Sequence, residues 1–467
     1  MSEQRARSGW PGRRVLRLPA SARPGLALAL VGFWLGLIWL AAIRPFSAPD
    51  EPAYLQGVMQ TQTEHILPEL HFDFSANPAG EVVGTPGNAA ARAYIAASGF
   101  NDRIRLLAYE NVQPPLYFLI AGLVMQFVPP NPVMVLYVSR LISVVAGAGT
   151  VYFCWAATRQ LAPQAPGWAA AVAGVIALLP EFCFINARAG NDSLVNCLAA
   201  AAFYVWFRGL RDPAYDSRLI RAGGVVGLAV LAKLSALVLV PGLALVVLFR
   251  ARQNWPDGQA WWTAGRRGLR LAAGAAGSLV LVCGWWFVRN MFVYGELSGT
   301  AAANRFWQLN LPAFNWQDPA ARVGFVQASW QSFLGVFGWQ SLVLPDVFYD
   351  QALQLSVILL GLSGLAGLRR LQRHLAGRAP IPTYVLQAAC LMGLTAILVG
   401  FSFVQYSLNV ALSAQGRYFF LLLLPAALLF TGGLQALLPG RVLKAISVSM
   451  LMLWLAIANI VGTVLVR

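Results

Sequence analysis

The sequence predicts an all-α, polytopic membrane protein. Of its 467 residues, 58% are hydrophobic and only 11% are charged, whereas a soluble chain of this length needs a more polar surface. Apolar runs that approach the ~20 residues needed to span a bilayer recur along the chain. The formal net charge of +16 comes almost entirely from arginines in the short segments between these runs. That distribution is typical of membrane topology and not of nucleic-acid binding.

The basic segments predict the orientation of the chain. The arginine-rich arm at 1–24 precedes an apolar run at 25–43, which is too long for a signal-peptide core and is interpreted as a retained helix with a cytoplasmic N-terminus. Further basic segments, expected in the cytoplasm, occur at 208–221, 250–270, 369–378 and 441–444. Since 222–249 lies between two of them, we interpret it as two short helices that meet near Lys233.

Counting the remaining apolar runs gives about 11–12 transmembrane helices and an exoplasmic C-terminus. The run at 115–128 is short and bounded by prolines, and we interpret it as not fully spanning, which is allowed where protein covers the backbone. The runs expected to cross are 133–158, 168–185, 194–207, 271–287, 352–368, 384–404, 418–438 and 442–466.

Two long polar stretches, 44–113 and 290–351, are predicted to be large exoplasmic loops. The first contains most of the loop acids and a short helix expected at 52–63, because proline at position 52 suits the first helical turn. The second is typical of a saccharide-facing or membrane-interface surface. Its tryptophans are Trp307, Trp316, Trp330 and Trp339.

Asp50 and Glu51 follow the first apolar run directly, between two prolines. One interpretation is a solvated cap of the next helix. The other is a carboxylate that takes a proton from an acceptor hydroxyl, with or without a divalent metal. The position at the predicted outer mouth of the first helix favours the second interpretation.

Lys233, one of two lysines in the chain, stands in the apolar segment GLAVLAKLSALVLVP. A cation at the centre of a bilayer costs at least ~2.5 kcal/mol, so an intramembrane lysine indicates function unless it snorkels to the interface. At the outer end of a helix pair, its compact ammonium suits a lipid-linked phosphate.

Four further motifs are predicted at the same outer boundary, and two of them have a structural alternative. They contain Gln113, Asn191 with Asp192, Arg289, and Arg417 with Tyr418. Asn191 and Asp192 are also typical of a helix N-terminus, and an arginine such as Arg289 below tryptophans is typical of an interface anchor. An arginine at a helix start adds a bidentate fork for phosphate to a helix dipole that already favours anions.

The segments PDEPAY, QPPLYF, AGNDSLVN, AKLSALVLVP, WWFVRNMFVYG and QGRYFFLLLLP, in this order, resemble a domain-of-unknown-function membrane family of the GT-C glycosyltransferase superfamily. They are more distantly similar to protein O-mannosyltransferases and the aminoarabinose transferase of lipid A. The resemblance implies a transmembrane catalytic domain at 25–438, a last helix at 439–467, and inverting transfer of a sugar from a polyprenyl-phosphate donor.

The resemblance also implies residue roles. Asp50 takes the essential acidic position, supported by Glu51, and Asp192 and Lys233 line the donor site. The other donor or phosphate residues expected are Arg289, Arg417, Asn191, Gln113 and Tyr418. The acceptor, a glycan, lipid or protein, would be modified on the exoplasmic face of the cell membrane.

Two positions depart from the pattern of these relatives. Tyr54 stands where relatives often have a histidine, and Gln113 where some carry a histidine or a charge. The chain has three histidines in all. No cofactor is therefore required by the sequence, and a divalent metal stays open.

Two other functions remain as alternatives. The first is a transporter or flippase of a lipid-linked saccharide, for which internal repeats and a midplane site would be typical. The second is a non-catalytic subunit of saccharide assembly, because a fold does not fix a function. The gathering of polar motifs at one face favours an enzyme.

Overall fold

A computed structural model describes residues 22–65, 67–69, 71–73, 75, 81–83, 89–99, 108–212, 216–253, 261–310, 315–410, 413–437 and 440–467. Most of the basic arm predicted at 1–24 falls outside these ranges. Within them the chain is predominantly α-helical, which confirms the predicted all-α class.

The described part of the chain contains seventeen α-helices. In chain order they are α1 (Arg23–Ala42), α2 (Glu51–Glu64), α3 (Ala89–Ala97), α4 (Leu116–Met125), α5 (Pro132–Leu161), α6 (Pro166–Ala177), α7 (Pro180–Asn186), α8 (Asp192–Arg211), α9 (Asp216–Ala232), α10 (Val240–Gln253), α11 (Trp261–Tyr294), α12 (Ala301–Asn310), α13 (Pro319–Leu334), α14 (Asp346–Leu375), α15 (Thr383–Asn409), α16 (Leu423–Leu437) and α17 (Arg441–Leu465).

Short 3₁₀ helices and two small β-hairpins complete the described structure. The 3₁₀ helices are Tyr109–Val112, Leu234–Leu239 and Gly416–Leu422. Strands β1 (His71–Asp73) and β2 (Glu81–Val83) pair antiparallel, as do β3 (Val336–Phe337) and β4 (Leu342–Val343).

The protein is a multi-pass membrane protein. In the described ranges, nine helical segments are long and apolar enough to cross a membrane, and ten if the bent pair α6–α7 forms one span. α4 and the Leu219–Ala232 part of α9 are apolar but shorter. With α6–α7 counted as one span, these two short helices account for the difference from the predicted count of 11–12, because each is shorter than the ~20 residues that a crossing needs.

Three predicted runs are interrupted. Residues 168–185, predicted as one crossing, form α6 and α7 with a 64° bend between them, and Pro180 at the start of α7 has no N–H to continue the ladder of α6. The predicted break near Lys233 is confirmed, since this residue is extended (φ −159°, ψ 137°) between α9 and a 3₁₀ helix. The run predicted at 418–438 begins as the 3₁₀ helix Gly416–Leu422 and continues as α16.

The short helix predicted at 52–63 is confirmed as α2, with Pro52 in its first turn. Its residues from Glu51 to Gln62 are all buried, and it packs against α3, α4 and α5. The segment is therefore part of the protein interior, although its composition is that of a solvated loop. Its burial fixes the position of Asp50 at its N-terminus.

The long helix α5 forms the centre of the helix packing. It lies along α1 and α8, while α9 packs on α11 and α14 packs on α16. The C-terminal helix α17 is joined to this core by hydrogen bonds at Asn459, which accepts from Trp39 Nε1 at 2.8 Å and donates to the carbonyl of Leu178 at 2.8 Å.

A close helix contact between α14 and α16 predicts a stability effect. A Cβ at Gly433 in α16 would lie 1.9 Å from the carbonyl oxygen of Leu359 in α14, so backbone would have to move. We expect Gly433→Ala to lower the free energy of unfolding by about 1–3 kcal/mol through overpacking. Thermal unfolding of the purified protein in detergent measures this effect.

Gly361→Ala provides the matched control, because Gly361 also lies in α14 and a Cβ there meets nothing within 4 Å. Its unfolding midpoint should equal or exceed that of the wild type, since alanine is the better helix former. Equal midpoints for Gly433→Ala and wild type would contradict the described packing of α14 on α16.

Candidate active site

Asp50 is the N-cap residue of α2, but its carboxylate does not cap the helix. The side chain makes no capping hydrogen bond, and the backbone is left-handed with φ 66°, an uncommon conformation for a residue other than glycine. Instead, Asp50 Oδ1 accepts from the Tyr109 hydroxyl at 2.7 Å, and Oδ2 lies 2.8 Å from Arg417 Nη1. The carboxylate thus faces the protein interior beside a cation.

Asp192, the first residue of α8, likewise serves a cluster and not a cap. Asn191 at the N-cap makes no side-chain capping bond. Asp192 Oδ1 lies 2.6 Å from Lys233 Nζ, and Oδ2 pairs with Arg188 and lies 3.4 Å from Arg417 Nη1. The break in the chain at Lys233 is what allows its ammonium to reach this carboxylate.

Arg417 joins the two acids into one site. Its Nη1 contacts both Asp50 and Asp192, and Arg188 Nη1 lies 3.8 Å from Asp50 Oδ2. Residues far apart in sequence thus form a cluster of three cations, namely Arg188, Lys233 and Arg417, around two carboxylates. Asp50, Asp192, Lys233 and Arg417, all predicted from the sequence, meet here, and Arg188, four residues before Asp192, pairs with that acid as a counter-ion.

The charges around Asp50 keep it ionised. Burial alone would raise the pKa of its carboxyl, but Arg417, Arg188 and the hydrogen bond from Tyr109 lower that pKa below its ordinary value. At neutral pH, Asp50 is therefore a carboxylate that can accept a proton.

The cluster also contains unused donors. The Nε atoms of Arg188 and Arg417 are buried and have no hydrogen-bond partner among the described residues. Buried donors are rarely left unpaired in folded proteins, and each costs free energy until a ligand or water satisfies it. Both atoms belong to guanidinium groups, which suit phosphate oxygens.

Glu51, predicted to support Asp50, is held in a different environment. Its side chain and that of Arg140 are fully buried, and Arg140 donates to both carboxylate oxygens at 2.7 Å. The oxygens also accept from the backbone N–H groups of Phe46 and Ala189. Because both of its oxygens already accept two hydrogen bonds, Glu51 is a structural partner of Arg140. The sequence feature that could have identified this pair is the arginine inside the apolar run SRLISVVAG, since a charge buried in a membrane protein needs a partner.

The other predicted residues are placed around the cluster or away from it. Asn191 Nδ2 donates to the carbonyl of Ala232 at 2.9 Å and reaches Gln113 Oε1 at 3.5 Å. The ring of Tyr418 lies below two cations, 5.8 Å from Lys233 Nζ and 5.7 Å from the Arg417 guanidinium carbon.

Arg289 is the predicted residue that the described contacts do not connect to the cluster. Its Nη2 pairs with Glu69 Oε1 at 2.8 Å, and its guanidinium lies 5.9 Å from the ring of Tyr294. Glu69 belongs to the first predicted loop, so this pair joins that loop to the end of α11. The sequence did not reveal the partner because 220 residues separate the two.

Sequence reasoning did not single out Tyr54, Tyr109 or Glu110 as site residues. Tyr54 donates from its hydroxyl to Glu110 Oε2 at 3.0 Å, while the neighbouring Tyr109 donates to Asp50. Burial and the charge of Asp50 raise the pKa of Glu110 to about 7. What identifies Glu110 as a site residue is its proximity to Asp50 in one cleft, and only the folded chain shows that proximity.

Comparisons with known proteins agree with this architecture. A family model described as dolichyl-phosphate-mannose-protein mannosyltransferase matches residues 112–287. The structure of ArnT from Cupriavidus metallidurans bound to undecaprenyl phosphate is similar with a TM-score of 0.50 at 14% identity, over 94% of this chain and 69% of that one. The chain has a GT-C-type fold.

A second GT-C structure has the same degree of likeness. The oligosaccharyltransferase of Archaeoglobus fulgidus in its apo form is 12% identical with a TM-score of 0.50, over 96% of this chain and 56% of that one. No curated protein matches the sequence. The family match includes Gln113, Asp192 and Lys233, while Asp50 and Arg417 lie outside it.

The Glu51–Arg140 pair predicts a folding defect. Glu51→Gln leaves the buried Arg140 charge uncompensated, and removing one partner of such a pair typically costs ~3–5 kcal/mol. We expect a lower unfolding midpoint in detergent and partial recovery in the double variant Glu51→Gln/Arg140→Met. Glu64→Gln, at the other end of α2, is the control and should unfold like the wild type. A Glu51→Gln protein with wild-type stability but no activity would restore the catalytic role predicted from the sequence.

Proposed function

We propose that this protein is a membrane glycosyltransferase that moves a sugar from a polyprenyl-phosphate donor to an acceptor hydroxyl at the exoplasmic face. The observation that carries the proposal is the bridge made by Arg417, which holds an ionised carboxylate, Asp50, beside three cations, two of which have unused donors. A base for the acceptor and a binding site for a phosphate leaving group thus adjoin each other.

The proposed reaction uses the base and the phosphate-binding site together. The acceptor oxygen attacks the anomeric carbon while Asp50 takes the hydroxyl proton, and the bond from that carbon to the phosphate oxygen breaks. Attack opposite the leaving group inverts the anomeric centre. The departing lipid phosphate carries the negative charge that Lys233 and Arg417 stabilise in a largely buried site.

The charge balance favours an anionic donor. Among the groups that form ion pairs, Arg188, Lys233 and Arg417 outnumber Asp50 and Asp192 by one positive charge, and an unpaired buried charge is costly. Undecaprenyl phosphate is bound in the similar ArnT structure. We therefore assign the donor phosphate of this protein to Lys233 and Arg417, with Asn191, Gln113 and Tyr418 around it.

The residues present do not fit a divalent metal. In the described part of the chain, no three His, Cys, Asp or Glu side chains are grouped for metal binding. Asp50 and Asp192 are already paired with arginine or lysine, so a metal ion would meet positive charges at either one. The proposed reaction therefore uses only groups of the chain.

Replacement of the proposed base should abolish transfer. Asp50→Asn keeps the size of the side chain but cannot take a proton, and we expect the turnover rate to fall about a hundredfold or more. Purified protein is incubated with a panel of polyprenyl-phosphate-linked sugars and acceptors, and products are identified by mass spectrometry. Asp350→Asn, which changes an exposed acid of α14, is the control and should retain activity. A fully active, normally expressed Asp50→Asn protein would end the proposal.

The phosphate assignment predicts a selective loss of donor binding. We expect Lys233→Ala to weaken the binding of undecaprenyl phosphate about tenfold, the loss of one charge-assisted contact. Arg289→Ala is the matched control because its guanidinium pairs with Glu69. Native mass spectrometry of the detergent-solubilised proteins measures both affinities. Equal losses in the two variants would contradict the assignment of Lys233 to the donor.

A further inference from the structure

Glu110 is an acid of the same cleft that the proposed reaction leaves without a role. It lies in the 3₁₀ helix Tyr109–Val112 and is partly exposed. Its Oε2 accepts from the Tyr54 hydroxyl at 3.0 Å, and no described residue donates to its Oε1. A carboxylate has about four acceptor positions, so Glu110 keeps free capacity for a hydroxyl ligand.

Asp50 differs from Glu110 in this respect. Both of its oxygens are engaged, Oδ1 by the Tyr109 hydroxyl and Oδ2 by Arg417. Glu110 follows Tyr109 directly, and Tyr54 lies one helical turn after Asp50. Each acid therefore accepts from the tyrosine next to or near the other acid in the sequence. Of the two carboxylates, that of Glu110 has the oxygen without a donor among the described residues.

We propose that Glu110 is an acceptor-binding residue whose Oε1 takes a hydrogen bond from a hydroxyl of the incoming acceptor and so orients it toward Asp50. The ligand class is a polyhydroxylated acceptor such as a pyranoside, because one hydroxyl must reach Asp50 while a neighbouring one reaches Glu110. This inference rests on the proposed function and adds the acceptor side of the site.

The surroundings of Glu110 set the pH at which it can do this. Burial and the charge of Asp50 raise its pKa to about 7, against the opposing effects of Lys233, the Tyr54 hydrogen bond and Arg417. Tyr109 and Tyr406 are the further titratable groups that interact with it. Since only the ionised form accepts from a hydroxyl with both oxygens, acceptor binding should strengthen as the pH rises through about 7.

A titration without turnover tests the binding role. The carboxylic acid band of Glu110 is followed by infrared difference spectroscopy across the pH range, with and without methyl glycosides of glucose, mannose and galactose as probes. We expect a band that titrates near pH 7, disappears in Glu110→Gln and shifts to lower pH with a bound glycoside. A midpoint that no glycoside moves would overturn the inference.

A kinetic measurement separates this inference from the proposed function. In Glu110→Gln, the acceptor KM should rise about tenfold, the loss of one charge-assisted hydrogen bond, and lose its pH dependence, while undecaprenyl phosphate binding is not weakened. In Tyr54→Phe, the pH at which the acceptor KM changes should rise, because the lost hydroxyl stabilised the ionised form of Glu110. If Glu110 had a purely structural role, the pH at which the acceptor KM changes would be the same in Tyr54→Phe as in the wild type.

The possible outcomes are distinguishable. If wild-type protein transfers sugar and Glu110→Gln has an unchanged acceptor KM and pH profile, this inference is wrong and the proposed function stands. If wild-type protein transfers no sugar from any donor of the panel, the proposed function fails, and the infrared titration still decides whether Glu110 binds a hydroxyl ligand.

Discussion

The buried pair of Glu51 and Arg140 is the interaction on which the rest of the site depends. Arg140 comes from the N-terminal third of the central helix, α5, and donates to Glu51 and to the carbonyls of Leu40, Ile43 and Arg44 at and just after the end of α1. Glu51 in turn accepts from the N–H of Ala189, next to Arg188. One ion pair thus ties α1, α2, α5 and the segment before α8 together and leaves Asp50 facing the cleft.

The two carboxylates of the cleft, Asp50 and Asp192, have different surroundings. Asp192 is enclosed by three cations and acts as their counter-ion, which holds Lys233 and Arg417 in place at the proposed phosphate site. Asp50 is closely paired with Arg417 alone, accepts from a tyrosine through its second oxygen and keeps part of its side chain exposed, so the proposed acceptor has access to it. A single arginine therefore separates the proposed leaving-group side from the proposed base side, and Glu110 extends the base side toward the acceptor.

Sequence reasoning was most successful where the bilayer restricts the choices. It predicted the membrane class, the break at Lys233, the helix after Asp50 and four residues that the fold gathers into one cluster. It was less successful with Glu51 and Arg289, because it could not identify Arg140 and Glu69 as their partners. It also placed one uninterrupted crossing at 168–185, where the proline at 180 divides the segment into two bent helices.

What the sequence by itself determined is the set of apolar spans and the few polar residues interrupting them, because burying an isolated charge or an unpaired backbone in lipid is too costly to be accidental. What only the tertiary structure decided is which of those residues form ion pairs with one another. Asp50 and Asp192 are separated by more than a hundred residues, and their common partner Arg417 by two hundred more, yet charge pairing acts over a few ångströms. Hydropathy carries no information about such distances, so the division between structural, donor and acceptor groups appears only when the helices are packed.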